Sequence, residues 1–303
     1  TDDISEIAQT NFATDSRRFK IYDPRPINIS TFYNNKMSSV FVESKFLPKT
    51  SSYFGISHNQ IQPLFDYTFV NEDKSYTDYT ITAVQLAFQW NPFSNYMQTP
   101  MGKIEYEKRH PKFSIQFTQT LPDLLDNDFV FSKIDFKTFY ELPYLSGQKS
   151  SALLQTGIAF GDVPITHLYS IVPNNLNREA ILQRITFAGK NSFETMYFNE
   201  FFSNKYASLQ LKHTFNKVRL GYKINPEFTV VTRMAVGTNN NNNQHLGIGY
   251  KTMEDGFFES GVECNKIFKG FGLVAFYRYG PNQLANFDDN IAIKVSYNLD
   301  LGF

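Results

Sequence analysis

Residues able to do acid–base or metal chemistry are few and scattered in this chain. The five histidines, His58, His110, His167, His213 and His245, show no spacing that would bring two of them onto one metal. The single cysteine, Cys264, excludes an internal disulfide and any multi-cysteine site, and Val262 two positions earlier puts it on an apolar strand face. There is no Gly-x-Ser-x-Gly elbow and no phosphate-binding glycine loop. Asp, His and Ser could still meet from separate strands, because geometry rather than spacing defines such sites. The sequence itself therefore nominates no catalytic residue, metal ligand or cofactor. Glu200 and His213 each interrupt an otherwise aromatic or apolar stretch and read as interior polar contacts or, more sharply, as parts of a proton relay. Lys133, Asp135 and Lys137 alternate with Ile134 and Phe136. Three charges on one strand face suit a wet lumen or an open surface and would be costly in a dry sandwich core. Their mixed sign favours a filled lumen over a passive pore, which would carry one-signed charge at its constriction.

The elements that hold these residues are strands. From Ile291 to Phe303, alternate residues (Ile291, Ile293, Val295, Tyr297, Leu299, Leu301, Phe303) are apolar and those between are mostly polar. Strict period-two alternation of this length predicts a strand with two unlike faces. A strand in a soluble protein usually ends after about 5–6 residues. Thirteen residues at about 3.3 Å each, tilted about 45°, rise roughly 30 Å, which matches the hydrocarbon core of a bilayer. A soluble sandwich with one unusually long strand is the competing reading. The 31 Phe and 18 Tyr, an aromatic share of 17%, favour a transmembrane barrel, which uses rings in its lipid-facing band and interfacial girdles. The mean hydropathy of −0.35 does not conflict, since only alternate strand residues meet lipid. No apolar run is long enough for a helical span. Equal numbers of basic and acidic residues, 29 each, speak against nucleic acid as a partner. The chain opens Thr-Asp-Asp without a basic-then-apolar leader, as expected of a mature chain or a piece of a longer one.

Residues 1–35 show no period and are expected to form an extended lead-in segment with one short strand. Alternation then recurs at 37–46, 53–61, 82–90, 113–119, 133–137, 154–160, 195–203, 206–215, 228–236, 246–250, 258–264, 273–279 and in the terminal strand. Trp90, beside Asn91 and Pro92, suits an interfacial anchor. Residues 162–192 break the rhythm, with a possible short helix at 178–185; an interruption of that size is usually functional. The expected fold is an all-β transmembrane antiparallel meander barrel of about 12–16 strands occupying residues 36–303. Counting back from a periplasmic C-terminus puts 162–192, the turn around Glu254, the loop before Asp289 and residues 216–225 outside. Asn239–Asn243 and Asn265–Lys269 become periplasmic turns.

The segments Gln85–Trp90, Lys112–Thr118, Phe160–Pro164 and Met196–Phe215, with the terminal strand, resemble successive blocks of a group of Bacteroidota outer-membrane proteins. In these, a carboxypeptidase-regulatory-like β-sandwich precedes a barrel of unassigned function that is similar to the BamA/TamA assembly superfamily. The resemblance covers roughly residues 80–303. It implies a location in the bacterial outer membrane, with lipid and other outer-membrane or periplasmic proteins as partners. It also implies an accessory or scaffold role in outer-membrane protein assembly or translocation, without enzymatic activity. The alternative is a pore or structural barrel that passes small solutes or holds a partner. The sandwich and some early strands have no counterpart here, so a fragment, a shortened relative or a barrel completed by another chain is expected. The superfamily's inward-folding loop carries Val-Arg-Gly followed by an aromatic residue. Its nearest match is Val218–Tyr222, where Leu220 intervenes between Arg219 and Gly221. The resemblance implies that Arg219, with Gly221 and Tyr222, holds such a loop against an acidic residue of the inner wall. A plain strand, 219–224, with the arginine exposed fits the alternation equally well. The resemblance further implies that Tyr297, Leu299, Leu301 and Phe303 form a C-terminal assembly signal.

Overall fold

The computed structural model describes residues 2–6, 12–13, 30–45, 47–71, 74–100, 102–220, 224–268 and 270–297. Gly221, Tyr222, Leu299, Leu301 and Phe303, singled out above, lie outside these. Twelve strands form one antiparallel sheet whose spatial order follows the chain. They are β1 (Asp2–Glu6), β2 (Phe32–Ser44), β3 (Thr50–Pro63), β4 (Tyr79–Trp90), β5 (Lys112–Thr120) and β6 (Phe131–Pro143). After them come β7 (Lys149–Gly161), β8 (Lys205–Thr214), β9 (Glu227–Thr238), β10 (Met253–Phe268), β11 (Phe271–Tyr279) and β12 (Ile291–Tyr297). The lead-in segment thus contributes β1, which pairs with the first residues of β2. Among the described residues β12 and β1 remain the two edges, and no pairing between them closes the expected barrel.

The period-two pattern sorts the sheet into two faces. Outward residues are apolar and exposed along its breadth: Val40, Phe54, Leu86, Ile115, Phe117, Ile134, Leu211, Val230, Val262, Leu273 and Ile293. Inward residues of the same strands are buried, and toward the long-loop end they are mainly apolar: Ile61, Tyr79, Ile81, Phe131, Ala159, Ala235 and Phe257. The sheet is curled, because one segment between β7 and β8, residues 162–204, touches strands far apart in it. It bonds Asp135 on β6, Glu259 on β10 and Lys294 on β12, and Asn199 accepts from the hydroxyl of Thr31 just ahead of β2. Residues 12–13 also enter the concavity, where the Ala13 amide donates to Gln116 at 2.8 Å and Lys137 lies 4.5 Å from the Phe12 ring centre.

Two strand assignments are corrected. The Glu254–Gly256 stretch is no turn. It belongs to the 16-residue strand β10, where the register with β9 shifts and Gly256 takes φ +85°. The extra residues bulge out of a continuous strand, as glycine in the left-handed region permits. In addition, Phe193–Tyr197 leaves the sheet and pairs in parallel with Pro173–Asn175 inside the concavity. With these changes, residues 239–252 share the end that carries 162–204, while 215–226 fall at the end where β12 finishes. This reverses the expected sides of Asn239–Asn243 and of the Arg219 turn.

Over the long-loop end lies an aromatic cap. A three-stranded sheet of Thr68–Asn71, Lys74–Tyr76 and His245–Leu246 brings Phe69, Tyr76 and Phe129 together with the His245 ring. The Tyr67 hydroxyl accepts the Ile165 amide at 3.0 Å and lies 2.9 Å from His245 Nδ1. Burial lowers the His245 pKa to about 4. The folded cap thus favours the neutral ring, while the unfolded segment binds a proton near the ordinary value of about 6.5. Stability from this contact is complete above that value and is lost as pH falls from about 6.5 toward 4. The protection of amides in 65–70 and 245–250, relative to their intrinsic exchange rate at each pH, should fall over this interval, and His245→Phe should abolish the fall.

Candidate functional site

The inward face of the later strands is a charged wall. Parity along each strand places Lys133 and Asp135 (β6), Arg233 (β9), Glu259 and Glu263 (β10), Arg278 (β11) and Lys294 (β12) on this side, opposite the apolar face. Five of these, Asp135, Arg233, Glu259, Arg278 and Lys294, are almost completely buried. Buried charges persist only when paired and hydrogen-bonded, and here much of the pairing comes from segment 162–204.

At β6, Tyr169 donates to Asp135 Oδ1 at 2.6 Å, and Lys133 Nζ donates to the His167 carbonyl at 2.8 Å while lying 4.2 Å from the Tyr169 ring centre. The ring fits because Gly157 on β7 has no side chain; a Cβ there would come within 2.6 Å of it. In the centre, Arg233 Nη1 meets Glu259 Oε1 at 2.7 Å, with both side chains at 0% exposure. The same carboxylate accepts the Glu194 and Thr195 amides at 3.0 and 2.9 Å and the Thr195 hydroxyl at 2.6 Å. Glu194 accepts from Asn174 at 2.6 Å and from Ser192 at 2.8 Å, with Lys294 Nζ 4.0 Å away. Burial raises its pKa to about 7, against the opposing pull of Arg233 and Lys294. Lys294 donates to the Asn174 carbonyl and to Thr186 Oγ1, the latter at 2.9 Å.

Toward the mouth, Arg278 forks onto both oxygens of Glu200 at 3.0 and 2.7 Å, the bidentate geometry that suits a guanidinium. Arg184 reaches the Tyr197 hydroxyl, Asp289 Oδ1 at 3.2 Å and the Asp288 carbonyl at 2.8 Å. The segment also pairs with the sheet edge: Val295 N–H donates to Thr186 at 2.9 Å and its carbonyl accepts from Ala188 at 2.8 Å. Above this lies an open cleft of about 1210 Å³ whose lining includes Arg178, Tyr197, Asn199, Glu200, Lys251 and Asp289.

The residues nominated from sequence fare unequally. Lys133 and Asp135 face inward on the wall, and Glu200 is the acidic half of the Arg278 pair. His213 sits on the outward face with Nδ1 2.9 Å from Ser150 Oγ. Among the described residues no carboxylate or amide side chain bonds its Nε2, and the flanking backbone is taken up by the ladder between β7, β8 and β9. The pair therefore has neither an orienting group nor oxyanion donors and makes no hydrolytic triad. Arg219 is exposed in the turn between β8 and β9, where Val218 bonds Pro226 and Leu220 bonds Ile224, both at 3.0 Å. The implied inward arginine is thus corrected, because this turn is at the wrong end of the strands to enter the concavity from the long-loop side. Inward arginines exist, but they are Arg184, Arg233 and Arg278. Parity within their strands would have found the last two, since each alternates with outward apolar neighbours. Tyr297 lies on the outward face with its ring 4.8 Å from Phe271.

A curled antiparallel sheet with an apolar exterior and an inward segment on a charged wall is an all-β architecture of β-barrel type. It is similar to the crystal structure of BamA from Haemophilus ducreyi lacking POTRA domains 1–3, with a TM-score of 0.52 and 13% identity over 87% of this chain. The chain spans about half of that one, 53% of its length. Residues 27–226 match the family of unknown function (DUF5686) C-terminal domain, and the chain belongs to that family. No curated protein matches it in sequence.

The wall and the segment should fail together. Glu259→Gln leaves buried Arg233 with only Glu263 Oε1, 3.8 Å away, as counter-charge, a change expected to cost about 3 kcal/mol. Proteolysis and hydrogen exchange should then expose 189–197 while leaving the β2–β5 strands protected. Equal loosening of both regions would show that the pair supports the whole sheet and not this segment.

Proposed function

We propose that this chain is the membrane-spanning part of an integral outer-membrane β-barrel that carries residues 162–204 as a resident plug. In this reading it serves as an accessory or scaffold in the assembly or translocation of other outer-membrane proteins. The observation that carries the membrane reading is the segregation of the two faces. An exposed apolar exterior runs from Val40 on β2 to Ile293 on β12, while the interior holds full charges paired across the wall and with the plug. Water would penalise the first face, and a lipid-facing interior would be impossible for the second. The filled concavity weighs against a passive pore. The likeness of fold to BamA supports the assembly role, as does the resemblance noted in the sequence. The barrel's C-terminal strand end then faces the periplasm, with the long connections outside.

The chain should remain in outer membranes after alkaline extraction, require detergent for purification and show no steady conductance in planar bilayers. A monodisperse monomer without detergent would overturn the membrane reading. Cross-linking in native membranes followed by mass spectrometry should recover outer-membrane or periplasmic partners. Recovery of the chain alone would leave a structural barrel without an assembly role.

A further inference from the structure

One projecting element has no part in the site above. Between β4 and β5 the chain forms a hairpin, Asn95–Thr99 paired with Gly102–Glu107, at the end of the sheet where β12 finishes. It is firmly seated: Ser94 Oγ donates to the Arg109 carbonyl at 3.2 Å and accepts its amide at 3.1 Å. Asn91 bonds the Tyr96 hydroxyl at 3.1 Å and accepts from Gln89, an inward residue of β4, at 3.3 Å.

These bonds fix which way the hairpin faces. Tyr96 and Glu105 are directly paired, so they share one face. Glu105 accepts from Lys112 at 2.7 Å. Lys112 has the parity of inward Ser114 and Gln116, so this polar face continues the interior of the sheet. The opposite face must continue its exterior. That face carries Met97 and Ile104, which are cross-strand partners, and Tyr106, two residues beyond Ile104. Met97, Ile104 and Tyr106 are 53%, 53% and 62% exposed, and Phe93 at the hairpin's base is 54% exposed. Between them and the apolar band lies Trp90, stacked on Phe113 at 5.6 Å, the position of an interfacial girdle. The segment is rich in cations: Lys103, Lys108, Arg109 and Lys112 stand against Glu105 and Glu107. Both carboxylates are engaged, Glu105 by Lys112 and Glu107 by Arg109 at 2.8 Å.

We propose that this hairpin is a lipid-surface anchor, laying Met97, Ile104, Tyr106 and Phe93 into the interface of the leaflet just beyond the Trp90–Phe113 girdle, with exposed Lys108 and Arg109 at its base among anionic headgroups. Apolar side chains beside basic ones are the composition that binds an anionic interface. The continuity with the outward face selects lipid over a soluble partner. This inference rests on the membrane-barrel reading.

The full chain, reconstituted in phosphatidylethanolamine vesicles containing phosphatidylglycerol, would carry one environment-sensitive fluorophore in a Cys264→Ser background. The label is placed at Ile104→Cys, at Gln98→Cys on the polar face, or at Leu86→Cys in the apolar band. Nitroxides borne on lipid at shallow or deep positions report depth. The Ile104 label should be quenched by shallow nitroxide, about threefold more than the Gln98 label. The Leu86 label should be quenched best by deep nitroxide. Quenching at Leu86 with equal, weak quenching at Ile104 and Gln98 would overturn the anchor and leave the barrel standing. No lipid quenching at Leu86 would overturn the barrel reading and the anchor with it. Shielding of Ile104 from water that grows with protein-to-lipid ratio but shows no lipid quenching would assign the face to a second copy, against this proposal.

Discussion

The buried pair Arg233–Glu259 is the interaction on which the architecture turns. Each of these ions, alone in a low-dielectric interior, would carry a penalty of several kcal/mol even after relaxation. Arg233 neutralises Glu259, but the carboxylate has further lone pairs, and these are filled by the Glu194 and Thr195 amides and the Thr195 hydroxyl. The Glu259 carboxylate is therefore fully satisfied only when the segment is seated, and the segment's own amides have their acceptor only on the wall. The same reciprocity recurs at Asp135 with Tyr169 and at Arg278 with Glu200.

An apolar filling would satisfy a sheet of this kind less specifically. Near the long loops the interior is aromatic: Phe257 packs edge-on against Phe193 and Phe201, and Phe69 against Phe129. Hydrophobic burial there is large but tolerant of small shifts in register. The ionic contacts below it are not tolerant. A one-residue slip of β10 would turn Glu259 to the apolar exterior and Phe258 to Arg233. The aromatic layer supplies attraction and the charged layer supplies registration. The cap of Tyr67, Phe69 and His245 then covers the aromatic layer and excludes water from it.

Much of this was legible in period-two alternation. The unlike faces, the inward Lys133–Asp135–Lys137 strip and the interruption at 162–192 all followed from which residues alternate. What alternation could not show was connectivity at irregular places. Glu254, Asp255 and Gly256 have turn composition, yet they form a bulge because the residues on either side, Met253 and Phe257, both find partners on β9. Met196–Ser203 is rich in aromatics like a strand, yet it folds inside because Glu200 and Thr195 have partners there. The Arg219 motif was misleading for a related reason: a short string of residue types carries no information about which end of the sheet its turn occupies. Edge closure was beyond reach too, since nothing in one strand's alternation names its neighbour.

The position of the inward segment in the chain bears on how the sheet acquires its curvature. It lies between β7 and β8, with strands on either side, and it contacts both groups: Asn199 meets Thr31 near the first strands, and Thr186 meets Lys294 in the last. A long connection tethered at its middle strands and bonded near both ends of the sheet draws those ends toward each other. The entropic penalty of closing so large a loop grows only slowly with its length, whereas each buried ion left unpaired is penalised in full. Bending the twelve-stranded ribbon around the segment is thus favoured over leaving it flat, because only the bent form lets the segment pair with Arg278 and Lys294 in the last strands while it bonds Asp135 and Thr31 in the earlier half. Curvature in this protein is in that sense held by the segment's polar contacts to both halves, with the right-handed twist of the strands supplying its direction.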